Sequence, residues 1–366
     1  MNRRIATTLA FISAALAAWP VRAELLVSSF NGNRVFRYHE ATGAFIDIFI
    51  PNTDGALNLP HGLAFGPDGH LYVASAGNDS VLRYDGTNGA FLGSLVPTGR
   101  GGLDYPVRLI FRPDGFLYVS SQLSDQVLRY RATDGAFDRV FVSASASLDG
   151  PSDMTFGPDG HLYVVGRFNH RVARYDGQTG ALLGAFVTAN LSQPFGLRFN
   201  SAHDLLVVSG NDNRVQRFHG RTGAFATTFA AGGNLALPVG MTYGPDANLY
   251  VASFSNNKIA RFDALTGAAL GDFVPGGSGG LTGPNFMVFR PATISATTLS
   301  ISNSPVGLTL GWPARSIPAM AEINTGGMAP GGWSPVTNVV RTVGSTLQLS
   351  LDTPPTNAFF RLRLIE

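Results

Sequence analysis

Few side chains in this 366-residue chain are equipped for chemistry. There are seven histidines, one lysine (Lys258), four glutamates and no cysteine, so disulfides, thiolate metal sites and cysteine nucleophiles are excluded. No Gly-x-Ser-x-Gly elbow, phosphate loop or His-Glu-x-x-His run occurs, which removes familiar signatures of serine hydrolysis, nucleotide binding and zinc proteolysis. What remains is a set of polar residues at irregular places: His61, Arg108, Gln122, Asp153, Arg167 and Asn285. An imidazole moves protons or binds metal, a carboxylate or amide offers oxygen ligands, and a guanidinium holds anions. Whether these groups meet depends on the elements that carry them.

Those elements come from a repeat. Phe65-Gly66-Pro67-Asp68-Gly69-His70-Leu71-Tyr72-Val73 returns at 111–119 and 156–164, with weaker copies at 199–207 and 243–251. A Gly-Ala phrase keeps step with it, at Gly43, Gly89, Gly135, Gly180, Gly223 and Gly267. Each unit of about 45 residues holds four short strand-like runs, a to d, separated by Pro-Asp-Gly, Asn/Asp-rich and Gly-Ala turns. Four-stranded units in series are the pattern of a β-propeller. The chain after residue 23 opens on strands b, c and d, and the missing strand a appears at 285–291. The expectation is an all-β, six-bladed β-propeller over 24–291, closed by a split blade.

The repeat also separates framework from site. Arg37, Arg83, Arg129, Arg174, Arg217 and Arg261 recur in every unit on strand c and are expected to lace blades together. The Asp of Pro-Asp-Gly is expected to hold its own turn. Regular a–b and c–d turns fall at one end of the propeller, so the variable b–c turns and d–a crossings at the other end form the candidate ligand face. Near the axis on that face lie two irregular sets. One, at the start of strand a, holds His61, Arg108, Asp153 and Asn285; the other, just after strand b, holds Phe30, Gln122, Arg167 and Phe254. Two readings are open: a pocket with apolar walls and a few convergent polar groups, or solvated loop residues around a water-filled channel.

Pro60-His61-Gly62-Leu63-Ala64-Phe65, the Pro-Asp-Gly turn, Leu-Tyr-Val-Ala and the Asn-rich turn before Val-x-Arg-Tyr resemble the NHL-type six-bladed propellers over roughly residues 24 to 291. SMP-30/gluconolactonase proteins and streptogramin lyases look like more distant relatives. The lactonase resemblance implies a divalent cation held by Glu, Asn and Asp at the start of strand a. Here that ring offers only Asp153 and Asn285, with Asp153 one place late and no glutamate. Peptidyl-amidating lyases place zinc-binding histidines in Pro-His-Gly phrases, and His61 matches one such phrase alone, which reads as a hydrogen-bonded loop histidine. The resemblance is specific for fold and leaves activity undecided.

Residues 1–23 combine Arg3 and Arg4, an apolar run and Val21-Arg22-Ala23, the parts of a secretory signal. Removing them leaves 23 basic against 24 acidic residues, so nothing argues for nucleic acid, and no transmembrane segment is expected after cleavage. Residues 292–366 lose the period and alternate as strands of a small β-sandwich-like module. The sequence therefore predicts a secreted or periplasmic protein, a monomer without cofactor, that serves as a non-catalytic binding platform for a protein, peptide or glycan. The alternative is a lactonase- or lyase-type enzyme with an axial site holding calcium or zinc.

Overall fold

A computed structural model describes residues 24–53 and 56–290 in full, and beyond them the backbone of strands between 300 and 364. The expected signal segment lies outside the described residues. Six antiparallel four-stranded sheets follow one another around a ring. Blade 2 is Pro60–Phe65, Leu71–Ser75, Ser80–Tyr84 and Phe91–Val96; blade 3 is Pro106–Phe111, Phe116–Ser121, Gln126–Arg131 and Phe137–Val142. Blade 4 is Pro151–Phe156, Leu162–Gly166, Arg171–Tyr175 and Leu182–Val187; blade 5 is Pro194–Phe199, Leu205–Ser209, Arg214–Phe218 and Phe225–Ala230. Blade 6 is Pro238–Tyr243, Leu249–Ser253, Lys258–Phe262 and Ala269–Val274. Blade 1 is the split one: Pro284–Phe289 supplies strand a and pairs with Glu24–Ser29, followed by Arg34–His39 and Phe45–Ile50. The junction is in register, Leu25 opposite Phe289 and Val27 opposite Met287.

Strands a line the axis and pack on their neighbours all the way round, from blade 1 back to blade 2. Strand b is buried on both faces, which is why Leu71 to Ser75 reads as a continuous small and apolar run. The core lies between blades: Tyr72, Val81 and Val96 of blade 2 meet Leu109, Leu117, Val119 and Leu128 of blade 3. Full burial of each such side chain contributes about 1.5–3 kcal/mol.

The repeated phrases have physical reasons. Asp68 Oδ1 accepts the His70 N–H (3.1 Å) and Oδ2 accepts the Tyr72 hydroxyl (2.7 Å); Asp114, Asp159 and Asp246 hold Tyr118, Tyr163 and Tyr250 in the same way. The Gly-Ala glycines, Gly43 to Gly267, have φ between +67° and +77°. A Cβ there would stand 1.7–2.0 Å from a carbonyl oxygen in strand d of the preceding blade, so both backbone conformation and blade spacing demand glycine. The strand c arginines act otherwise than expected. They tie strands within their own blade: Arg37 bonds Asp47 and Glu24 and lies over Phe49, and Arg129 bonds Asp138 over Phe116. Lacing between blades falls to other groups. In the C-terminal module, Ser300–Ser304, Gly307–Pro313, Thr346–Leu351 and Val340–Val343 form one antiparallel sheet, and Ser334–Pro335, Ala319–Asn324 and Phe359–Leu364 another. How the two sheets pack lies outside the described residues.

Candidate functional site

The axial end of each strand a is a β-bulge. Pro60 pairs with Ser75 and Leu63 with Val73, so His61 and Gly62 together oppose Ala74; the irregularity recurs in every blade. A bulge re-aims side chains. His61 is thus part of a strand, and the loop position expected for it is corrected. In three blades the second bulge residue is glycine, Gly62, Gly196 or Gly240, because a Cβ would come within 2.4–2.6 Å of the next strand's carbonyl oxygen. Blades 3, 4 and 1 carry Arg108, Asp153 and Phe286 there instead.

The crossings leading into strand a are held from the previous blade. Asn33, Asp79, Asp125, His170, Asn213 and Asn257 occupy one place in the b–c turns, all with φ between +49° and +58°. Each accepts, at 2.7–2.9 Å, the backbone N–H of the residue before proline in the next blade. Those acceptors explain the Asn-rich turns. One of them, Asp79, fixes the backbone of Tyr105, the residue before Pro106.

Half of the expected site residues, His61, Arg108, Asp153 and Asn285, turn out to be ties between blades. Asp153 is fully buried. Its Oδ1 accepts the Met154 N–H (2.8 Å); its Oδ2 accepts the Leu197 N–H (3.2 Å) and Arg198 Nη1 (2.8 Å). Arg108 Nε lies 3.2 Å from Oδ1 as an ion pair without hydrogen-bond alignment. Burial, with repulsion from Arg198, pulls the Arg108 guanidinium down to about 10 against the attraction of Asp153. One carboxylate therefore joins blades 3, 4 and 5. Similarly, Asn285 Nδ2 donates to His61 Nδ1 (2.8 Å), joining blades 1 and 2, and His61 Nε2 is 3.5 Å from the Tyr105 hydroxyl. His61 is 3% exposed, and burial, helped by the charge of Arg167, lowers it to about 3 although the Asn285 bond opposes the shift. It is a neutral imidazole at physiological pH. The solvated, water-filled reading does not describe these groups: His61, Gln122, Asp153 and Asn285 are all buried, and Val107, Phe195, Val239 and Phe286 pack beside them as part of the core.

The groups left at the mouth are different. Phe30 meets the His61 ring at 5.0 Å and Phe254 at 5.9 Å. Arg167, just after strand b of blade 4, is half-buried with its guanidinium carbon 5.0 Å above Phe195 and 5.6 Å above Phe168. Phe195 is stacked 6.2 Å from His61, and Tyr105 touches the same imidazole at 5.4 Å. Arg167 has no carboxylate partner among the described residues, and its buried Nε donates to nothing. Burial lowers its pKa, opposed only by Tyr105; burial raises that of Tyr105, opposed by Arg167. Gln122 Nε2 and Asn285 Oδ1 are likewise buried without partners. Sequence comparison of the blades singled out Arg167 and Gln122 but missed Tyr105 and Arg198. Both carried a signal: Tyr105 aligns with Leu59 and Leu237, and Arg198 is a charge where other blades have Ala64, Ile110 or Val288.

No protein-family model and no curated protein matches the chain. Among solved structures it is similar to one from a nidogen/laminin complex, at 19% identity and a TM-score of 0.60 over 74% of this chain and 99% of that one. A protein of unknown function from Bacteroides caccae matches at 13% identity and 0.57, again over 74% and 99%. A virginiamycin B lyase from Staphylococcus aureus follows at 14% and 0.48, over 80% and 94%. The chain is a six-bladed β-propeller. At these identities the shared property is the fold.

Within the propeller, no group of three or more His, Asp or Glu among the described residues is placed to hold a metal ion. Asp153, the stronger of the two oxygen ligands considered for calcium, spends both oxygens on N–H donors and guanidinia; Asn285 keeps one free oxygen, but alone. A hard cation needs several oxygens, so the donor set does not fit one. An open cavity of about 410 Å³ lies on the opposite face, between blades 4 and 5, lined by Pro158, Asp159, Arg174, His203, Gly220 and Arg221. None of the expected site residues lines it. No helix among the described residues is long and apolar enough to cross a membrane.

Proposed function

We propose that the protein is an exported, non-catalytic propeller that captures a protein, peptide or glycan on the b–c and d–a face. The observation that carries this reading is the composition of the axial mouth. A half-buried guanidinium without counter-charge among the described residues lies over Phe195, the Phe30 and Phe254 rings adjoin through His61, and Phe168 (45% exposed) and Leu123 (60% exposed) stand in the flanking turns. Exposed apolar side chains beside an unpaired polar group are the composition of a recognition surface. The carboxylate of Asp153 and the imidazole of His61 are committed to the scaffold. A propeller of similar fold taking part in a nidogen/laminin complex supports the use of this architecture for protein contacts.

Screening purified protein against peptide and glycan arrays, side by side with a Leu123→Ala/Phe168→Ala variant, tests the proposal. Both side chains are exposed, so the variant should melt like the parent. A ligand lost in the variant supports the face; a ligand bound equally by both forms moves the site elsewhere. Arg108→Ala and Asp153→Ala are unsuitable probes, because the ion pairs they break hold blades together.

A further inference from the structure

We infer that Arg167 and Tyr105 form a seat for a carboxylate borne on an apolar, aromatic-sized group, as at an acidic or C-terminal residue of a peptide. This deepens the binding-platform reading and rests on it. Three features converge. First, the Arg167 guanidinium lies over the rings of Phe195 at 5.0 Å and Phe168 at 5.6 Å, yet makes no hydrogen bond and no ion pair among the described residues. A partly desolvated guanidinium in that state lacks the acceptor that normally accompanies it. The neighbouring Arg108 and Arg198, by contrast, share Asp153.

Second, the hydrogen-bond chain has a direction. Asn285 Nδ2 donates to His61 Nδ1, so the neutral imidazole carries its proton on Nε2 and points it at the Tyr105 oxygen. With its oxygen accepting from Nε2 at 3.5 Å, the Tyr105 hydroxyl keeps its own proton for another acceptor. Two donors, one of them charged, therefore interact electrostatically beside His61 without an acceptor among the described residues. Third, the surrounding charges favour an anion. Arg108, Arg198 and Arg167 stand against Asp153 alone, with His61 uncharged. The rim of Phe30, Phe254 and Phe168 suits an apolar substituent next to the carboxylate, which favours a peptide over an acidic sugar.

Benzoate and benzamide, equal in shape and different in charge, are the probes. Titrated into the full-length protein at low salt and followed by NMR, benzoate should saturate at millimolar concentration and benzamide should bind at least tenfold more weakly. A charge-assisted hydrogen bond is worth about 1.5–3 kcal/mol, so Arg167→Ala should weaken benzoate by about 10- to 150-fold. Arg167→Lys should recover part of the loss, and Tyr105→Phe should cost about three- to tenfold. Equal binding of benzoate and benzamide, no saturation by benzoate, or an unchanged affinity in Arg167→Ala would each overturn the seat. Tighter binding of inorganic phosphate or of glucuronate than of benzoate would overturn the assignment to an apolar carboxylate. A partner whose capture depends on Leu123 and Phe168 while benzoate fails to bind would leave the platform reading standing and remove the carboxylate seat alone.

Discussion

Asp153→Asn tests the reading of the axial polar cluster. The substitution keeps the shape and an acceptor for the Arg198 and Leu197 donors, but removes the charge that neutralises Arg108 and Arg198 in a site where the side chain is fully buried. Breaking a buried ion pair by removing one partner costs about 3–5 kcal/mol, and here one carboxylate serves two guanidinia. Taking about 2 °C per kcal/mol for a domain of this size, the melting temperature should fall by roughly 6–10 °C. Scanning calorimetry at pH 7 in low salt reads it directly. The companion variant, Arg108→Leu/Asp153→Leu/Arg198→Met, removes every member and should regain most of the loss, since apolar replacement of a whole buried network is often neutral. If Asp153→Asn melts within about 2 °C of the parent, the triad does not hold blades 3 to 5 together, and Asp153 returns as a candidate for ligand chemistry.

Other outcomes follow from the same geometry. His61 has its folded pKa near 3 and an unfolded value near 6.5, so the unfolded chain takes up a proton that the folded one refuses; stability is unaffected above about pH 6.5 and falls as pH drops toward 3. At pH 5 the loss is about 2 kcal/mol, and His61→Gln should melt with a shallower acid slope than the parent; parallel slopes would contradict a buried neutral imidazole. Gly135→Ala places a Cβ 1.7 Å from the Leu95 carbonyl oxygen and should cost more than about 3 kcal/mol, whereas Gly115→Ala, at φ +86° with nothing within 4 Å, should cost only about 1–2 kcal/mol. Denaturant titration ranks the pair, and a reversed order would sink the account of blade spacing. A chain stopped after Gly283 lacks strand a of blade 1 and should lose its cooperative transition, while one stopped after Pro291 should keep it.

What the sequence disclosed, and what it hid, divides along the chain. Turn chemistry is local, so Pro-Asp-Gly, the Gly-Ala glycines and the period itself fixed the blades, their number and the split closure. The Asp68-type turn acceptors needed nothing beyond five consecutive residues. The ties across the ring depend on residues 45 apart becoming neighbours, and on a two-for-one bulge that shifts the inward side of strand a. Without that bulge His61 and Asp153 look like loop positions. Comparing blades picks out the irregular residues, but irregularity has two physical origins. Asp153 and Asn285 depart from the pattern to pair with Arg198 and His61; Arg167 departs from it and has no hydrogen-bond or ion-pair partner among the described residues. Only coordinates separate the two.

One feature of the closing blade reaches further than closure. The Arg290 N–H donates to the Glu24 carbonyl at 2.7 Å, at the same place in blade 1 as the Gly66 N–H to His70 carbonyl bond (2.9 Å) in blade 2. There the two residues are joined by Pro67-Asp68-Gly69; here they are separated by the chain's two ends. The propeller is therefore a circle with an arbitrary covalent origin. Joining Arg290 to Glu24 through Pro-Asp-Gly and opening the exposed Arg100–Gly102 crossing would yield a circular permutant with every strand pairing intact and no blade divided between the two ends. A library of such permutants would relocate the chain ends around the rim while leaving the axial mouth and its Arg167 untouched.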